Sequence, residues 1–218
     1  MSLIITGSNS NESEFKLPPA GNHIARCYRI IDLGTQTSFW KGEPKSLRKI
    51  MISWELHGED ADGNPLTTEK GEPLMMSRRY TMSLSEKATL RIMLEGWRNQ
   101  KFTLDELSGF DISKLLGVFC MLNISHDKSE KDGKTYANVA GVSPVPAIIK
   151  KAGLPEGVNK TVLFSLDNPD MSVFNGFSDG IKKTISESPE FKKVSGGVTL
   201  ADAPAPKGLA DIDDDVPF

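Results

Sequence analysis

The apolar positions of this chain change period along its length, and each change marks an element. From His23 to Leu33 a run rich in Ile, Tyr, Cys and Arg reads as a first strand that stops at Gly34, and the polar stretch Thr35 to Pro44 reads as a loop. From Lys45 to Leu56, Ile50, Ile52, Trp54 and Leu56 alternate with Lys49, Met51, Ser53 and Glu55, the pattern of a half-buried second strand. Asp62-Gly63-Asn64-Pro65 and Lys70-Gly71-Glu72-Pro73 carry turn chemistry, after which Leu74 to Ser83 resumes an extended pattern as a third strand.

The period then becomes helical. Leu90, Met93, Leu94 and Trp97 fall at i, i+3, i+4 and i+7, which predicts an amphipathic helix ending near Arg98, with a capping box in Ser83-Leu84-Ser85-Glu86 or an N-cap at Ser85. A second helical piece fits between Thr103 and Leu116, interrupted by Gly109. Val118 to His126 and Thr135 to Val142 read as a strand pair, joined by the charged loop Asp127 to Lys134 with Asp132-Gly133 at its turn.

Three strands, a helix and two strands is the order of an OB-fold, a five-stranded, partly open barrel with a helix between strands three and four. The expected fold is therefore mainly β, with a barrel domain over 18–146 closed off by Ser143-Pro144-Val145-Pro146. Val173, Phe177, Ile181 and Ile185, four residues apart, predict a helix in an extension over 147–194 that packs on the barrel or pairs two copies. Residues 1–17 read as a flexible N-terminus. Residues 195–210, mostly Gly, Ala, Pro and Val, hold too few large apolar groups to offset chain entropy and read as a disordered linker to a tip over 211–218.

Charge changes the picture because it is segregated. From Ser195 onward five aspartates face one lysine, a net −4 that leaves +1 on the rest of a chain whose total is −3. Nucleic-acid binding by such a body requires local clustering of cations rather than a basic total. No apolar run approaches the roughly 18 residues of a membrane span, and Leu3, Ile4 and Ile5 alone do not make a signal peptide, so the expected location is the cytoplasm. Cys27 and Cys120 sit in apolar runs without a CxxC pattern and read as reduced, buried thiols. No metal or other cofactor is expected.

A single-strand binder needs cations that follow phosphates and rings on which bases stack. OB-folds carry them on strands two and three and on the loops joining strands one to two and four to five. The first loop offers Phe39, Trp40, Lys41 and Lys45, the second Lys128, Lys131 and Lys134. The strands offer Arg48 and Lys49, then Arg78, Arg79 and Tyr80, then Tyr136; Tyr28, with Arg26 and Arg29, is a further candidate on strand one. Alternation lets only one of Arg78 and Arg79 face a groove. Trp54 and Trp97 fall on apolar faces and read as core. The three histidines are scattered, and phosphate-loop, GxSxG and dinucleotide motifs are absent, so no catalytic activity is expected.

The C-terminus ends Asp211-Ile212-Asp213-Asp214-Asp215-Val216-Pro217-Phe218. An acidic end usually only solvates a chain, but that does not explain the terminal Phe. An apolar pocket with a basic rim would take the ring, the aspartates and the free carboxylate, and Pro217 would lower the entropy lost on docking.

That tip resembles the C-terminal tip of bacterial single-stranded-DNA-binding proteins, acidic residues followed by Ile-Pro-Phe, with Val216 in place of Ile. The resemblance implies that Asp211, Asp213, Asp214, Asp215, Val216, Pro217 and Phe218 dock replication, recombination and repair proteins, and that the tail competes with DNA for the groove. Ile30-Ile31-Asp32-Leu33-Gly34-Thr35-Gln36, Lys87-Ala88-Thr89-Leu90-Arg91, Trp97-Arg98 and Lys134-Thr135-Tyr136-Ala137-Asn138-Val139 resemble a bacteriophage-encoded family of OB-fold single-strand binders, over roughly Lys16 to Pro146. This implies sequence-independent binding of single-stranded DNA in a bacterial host cell; the sequence leaves the choice between monomer and dimer open. The rival readings are an adaptor that presents the acidic peptide without binding DNA, and a metal-dependent nuclease drawing on Asp32, Glu55, Asp60 and Asp62.

Overall fold

The computed structural model describes residues 16–40 and 42–195, apart from the Trp40 side chain. Its strands are β1 (Gly21–Trp40), β2 (Glu43–His57), β3 (Met75–Thr81), β4 (Phe119–Lys128), β5 (Thr135–Ser143) and β6 (Val162–Phe164). Its helices are α1 (Thr89–Arg98), α2 (Leu104–Ser108), α3 (Ala147–Ala152), α4 (Met171–Asn175), α5 (Asp179–Glu187) and α6 (Pro189–Val194), with a 3-10 turn at Ile112–Leu115. The chain is mainly β, and its strands order as β3-β2-β1-β4-β5, antiparallel throughout. The path ends at β3 and β5, and no backbone ladder joins those two among the described residues. Short β6 runs parallel to β1 at Arg29 to Ile31, on the edge that β4 leaves after Arg26.

Alternation explains the first core. Ile30, Ile50, Ile52, Trp54, Leu56, Leu122, Ile124 and Val139 point to one side, where α1 adds Leu90, Met93, Leu94 and Trp97. The Trp54 and Trp97 rings lie 6.1 Å apart between centroids, tilted, in the core as their periodicity predicts. Helix α1 packs against both β3 and β5, so it fills the gap between the two ends of the sheet. Its N-cap is Ala88 without a side-chain bond, not Ser85; the Ser83 hydroxyl instead accepts from the Ser85 N–H in the preceding turn. The capping box forms on α2, where Thr103 and Glu106 exchange bonds.

Thr35 to Trp40 and Glu43 to Pro44, within the expected loop, are strand. Thr35 to Trp40 pair with Arg48 to Glu43, so β1 and β2 run on as a two-stranded ribbon. A solvated ribbon needs no apolar face, and cross-strand polar pairs such as the Thr37 and Ser46 hydroxyls, 2.8 Å apart, take the place of burial. Extra β1 residues between Cys27 and Arg29 and between Asp32 and Gly34 make two bulges that bend the strand.

The extension packs on the sheet as a second layer. Ile31, Leu33 and Met51, on the face away from the first core, meet Phe164, Leu166, Phe174, Phe177, Ile185 and Phe191. The Phe164 and Phe177 rings meet edge to face at 5.3 Å, and Phe174 stacks on Phe191 at 4.8 Å. The single helix expected through Val173 and Ile185 is two, α4 and α5, because Gly176 ends the first and Ser178 caps the second. Carboxylates clasp the layers. Buried Glu55 accepts from Arg26 at 2.8 Å and from the Asn159 N–H at 2.7 Å, Asp32 takes Arg48 at 2.5 Å and the Leu166 N–H at 3.3 Å, and Glu190 takes the Thr35 N–H at 2.9 Å.

Candidate nucleic-acid interface

Strand register sorts the candidate residues by face. On β3, Met76, Arg78 and Tyr80 turn inward, and Met75, Ser77 and Arg79 turn out and are exposed. Arg79 lies opposite Met51 on β2, so Met51, Lys49, Leu47 and Lys45, each two residues from the next, share its face. Lys45 and Arg79 are exposed and Lys49 is half-buried, and none of the three makes an ion pair among the described residues. These three sequence candidates form one stripe of cations. At the ribbon's far end Phe39 is 76% exposed, a ring free to stack.

Other candidates are committed within the protein. Tyr28 is buried on the first bulge of β1, and its hydroxyl donates to the Met75 sulfur at 2.7 Å. Burial pushes its phenol up, against the pull of the neighbouring Arg29 guanidinium. Tyr80 is buried in the first core, with the Arg78 guanidinium 5.3 Å above its ring. Arg78 itself donates to the Val139 carbonyl at 2.6 Å, bridging β3 to β5. Arg48 is held by Asp32 and, at 3.0 Å, by Asp167, which raises its pKa further. A buried ring offers no stacking face, the Arg48 charge is met by two carboxylates and Arg78 turns inward to a carbonyl, so these four leave the candidate site.

The β4–β5 hairpin is mixed. Lys128, Lys131 and Lys134 are exposed, as are Asp127, Glu130 and Asp132 between them. The Tyr136 hydroxyl donates to Asp132 at 2.6 Å, which holds that carboxyl down to about 2 and raises the phenol, so Tyr136 buttresses the turn. Register sets the two hairpin tips at opposite ends of β1, since its Gly21 end pairs with Ile124 and its Trp40 end with Glu43. The Trp40 side chain, Lys41 and the whole tip from Asp211 to Phe218 lie outside the described residues, as do most of the expected N-terminal segment and linker.

The three histidines are held apart, each by a different partner. His23 meets the Pro19 carbonyl, His126 the Pro18 carbonyl and His57 the Glu55 carboxylate. Among the described residues no group of three or more His, Cys, Asp or Glu side chains is placed to hold a metal, and no helix is long and apolar enough to cross a membrane. Both thiols are buried, and burial pushes Cys27 up to about 12. An open cleft of about 560 Å³ lies beside α1 and the 3-10 turn, but its Arg98 already pairs with Glu106 and lies over the Phe102 and Phe110 rings. Sequence reasoning offered Arg29 only alongside Tyr28 and Arg26, without choosing among them. The bulge at Tyr28 shifts alternation by one, and only the register reveals which of the two neighbours faces out.

Comparison with known proteins returns no match to a family model or to a curated sequence, so the site rests on its geometry.

Proposed function

We propose that this chain binds single-stranded DNA without sequence preference, on an OB-type barrel. The strand order, the helix filling the gap between β3 and β5, and the Arg78 bridge across that gap support the barrel. The observation that carries the function is the stripe Lys45, Lys49 and Arg79, which makes no ion pair among the described residues of a chain with more acids than bases; exposed Phe39 stands at the end of the same ribbon, on the face opposite Lys45. Cations without carboxylate partners on one sheet face suit a polyanion, and one exposed ring adds about 1–3 kcal/mol of stacking. The tip from Asp211 to Phe218 then recruits replication and repair proteins of a bacterial or phage system, as its resemblance implies. The body's charge of +1 favours the adaptor reading, in which the sheet only carries the tip.

Titrating protein into fluorescent oligo-dT at low and high salt separates the two. Binding that weakens with salt, and that Phe39→Ala reduces about tenfold, is the expected result. No binding at low salt leaves the adaptor.

A further inference from the structure

All seven arginines of the chain are described. Four hold carboxylates, Arg26 on Glu55, Arg48 on Asp32, Arg91 on Glu95 and Arg98 on Glu106, and Arg78 holds a backbone carbonyl. Among the described residues Arg29 and Arg79 hold neither a carboxylate nor a carbonyl. Arg29 Nε is buried without a hydrogen-bond partner, an arrangement that normally costs stability. Both belong to one face, because Arg29 lies opposite Ser53 and Ser77 across three strands, one row from Ile31, Met51 and Arg79.

Both arginines lie on one face, in neighbouring rows. At strand spacing and rise their Cα atoms are about 12 Å apart. Tyr28 reaches from β1 across β2 to bond Met75 on β3, and the Arg29 guanidinium rides 5.4 Å from the centre of that ring. Arg29 thereby lies along a ring that spans β2, on the sheet face that Arg79 also occupies. The positions between them are Ser53 and Ser77, whose hydroxyls bond each other at 2.8 Å, and no carboxylate stands in either row. The nearest, Glu55, is taken by Arg26, His57 and Asn159.

We propose that Arg29 and Arg79 form a two-pronged seat for the phosphodiester backbone of a single strand crossing the outer face of β3, with Tyr28 as the residue that positions Arg29. The seat rests on the reading of the chain as a single-strand binder. It also gives the extension a part in binding: β6 pairs with Arg29 itself, and the loop at Val158 and Asn159 closes the neighbouring row, so the layer walls the seat on the β1 side.

The test is oligo-dT anisotropy across a salt series, with the full chain and Arg29→Gln, Arg29→Lys and Arg79→Gln. A control, Lys151→Gln, removes one charge from an exposed position on α3. Each Gln variant is expected to weaken binding about tenfold and to flatten the slope of log affinity against log salt by about 0.7, the release from one single-strand phosphate contact. Arg29→Lys should keep the slope and lose less affinity, and Lys151→Gln should bind as the parent does. Should Arg29→Gln fail to fold, exposed Arg79→Gln and charge-preserving Arg29→Lys carry the comparison. Parent-like affinity and slope in both Arg79→Gln and the Arg29 variants overturns the seat and leaves the proposed function standing, as does an equal loss in Lys151→Gln. A parent chain that binds no oligo-dT overturns both.

Discussion

Asp132 sits at an exposed turn, where a carboxylate ordinarily titrates near 3.8, yet the Tyr136 hydroxyl, Ser129 and the Lys134 N–H together hold it down to about 2. Tyr136→Phe removes the first of these and should bring the carboxyl up toward 3.8, read from its carbon chemical shift against pH. The same variant should leave single-strand affinity nearly unchanged, because the ring is spent on the turn. Side-chain roles of this kind are where the sequence was least legible. Alternation set Lys49 against the apolar positions of its strand and let only one of Arg78 and Arg79 face out, but it read Lys45 as a loop residue and did not group the three. It misplaced Tyr28, because a bulge is one extra residue and leaves no mark in hydropathy. It placed Arg48 among the free cations because its partners, Asp32 and Asp167, lie 16 and 119 residues away.

Among elements, the order of strands and helix was readable because each has its own period and its own stop. The ribbon beyond Gly34 was not, because a solvated strand and a loop share a polar composition. An extension lying on the sheet was expected from its period, but not the groups that hold it there, of which one is Glu55. Burial would raise that carboxyl, but bonds from Arg26, Asn159 and Val158 outweigh it and bring it below its ordinary 4.5. A lowered carboxyl stabilises the folded state at pH above its ordinary value and loses that contribution as pH falls through the folded value. Acid should therefore loosen the segment around Val158 and Asn159, read as faster proteolysis there below pH 4.5 than at neutrality. Glu55→Gln strands Arg26 in a largely buried site and should cost about 3–5 kcal/mol in urea unfolding.

At the scale of the molecule, one close approach locks the two layers together. Gly34 has φ of 72°, and a Cβ there would overlap the side chain of Ser188, the residue that caps α6. Gly34→Val meets both the left-handed backbone and the overlap, and should cost about 3 kcal/mol or more, seen as a lower urea midpoint. The partner surface that makes this glycine necessary is about 150 residues away in the chain, so no local pattern announces it.

The pairing of β6 with β1 bears on how the protein is made. Until residue 164 has left the ribosome, the backbone groups of Arg29 to Ile31 stand unpaired on a strand edge next to apolar Ile31 and Leu33, a template for pairing with another nascent chain. Synthesis halted before β6 should therefore yield a sheet that self-associates, and the completed extension doubles as the cover that keeps copies of this protein apart.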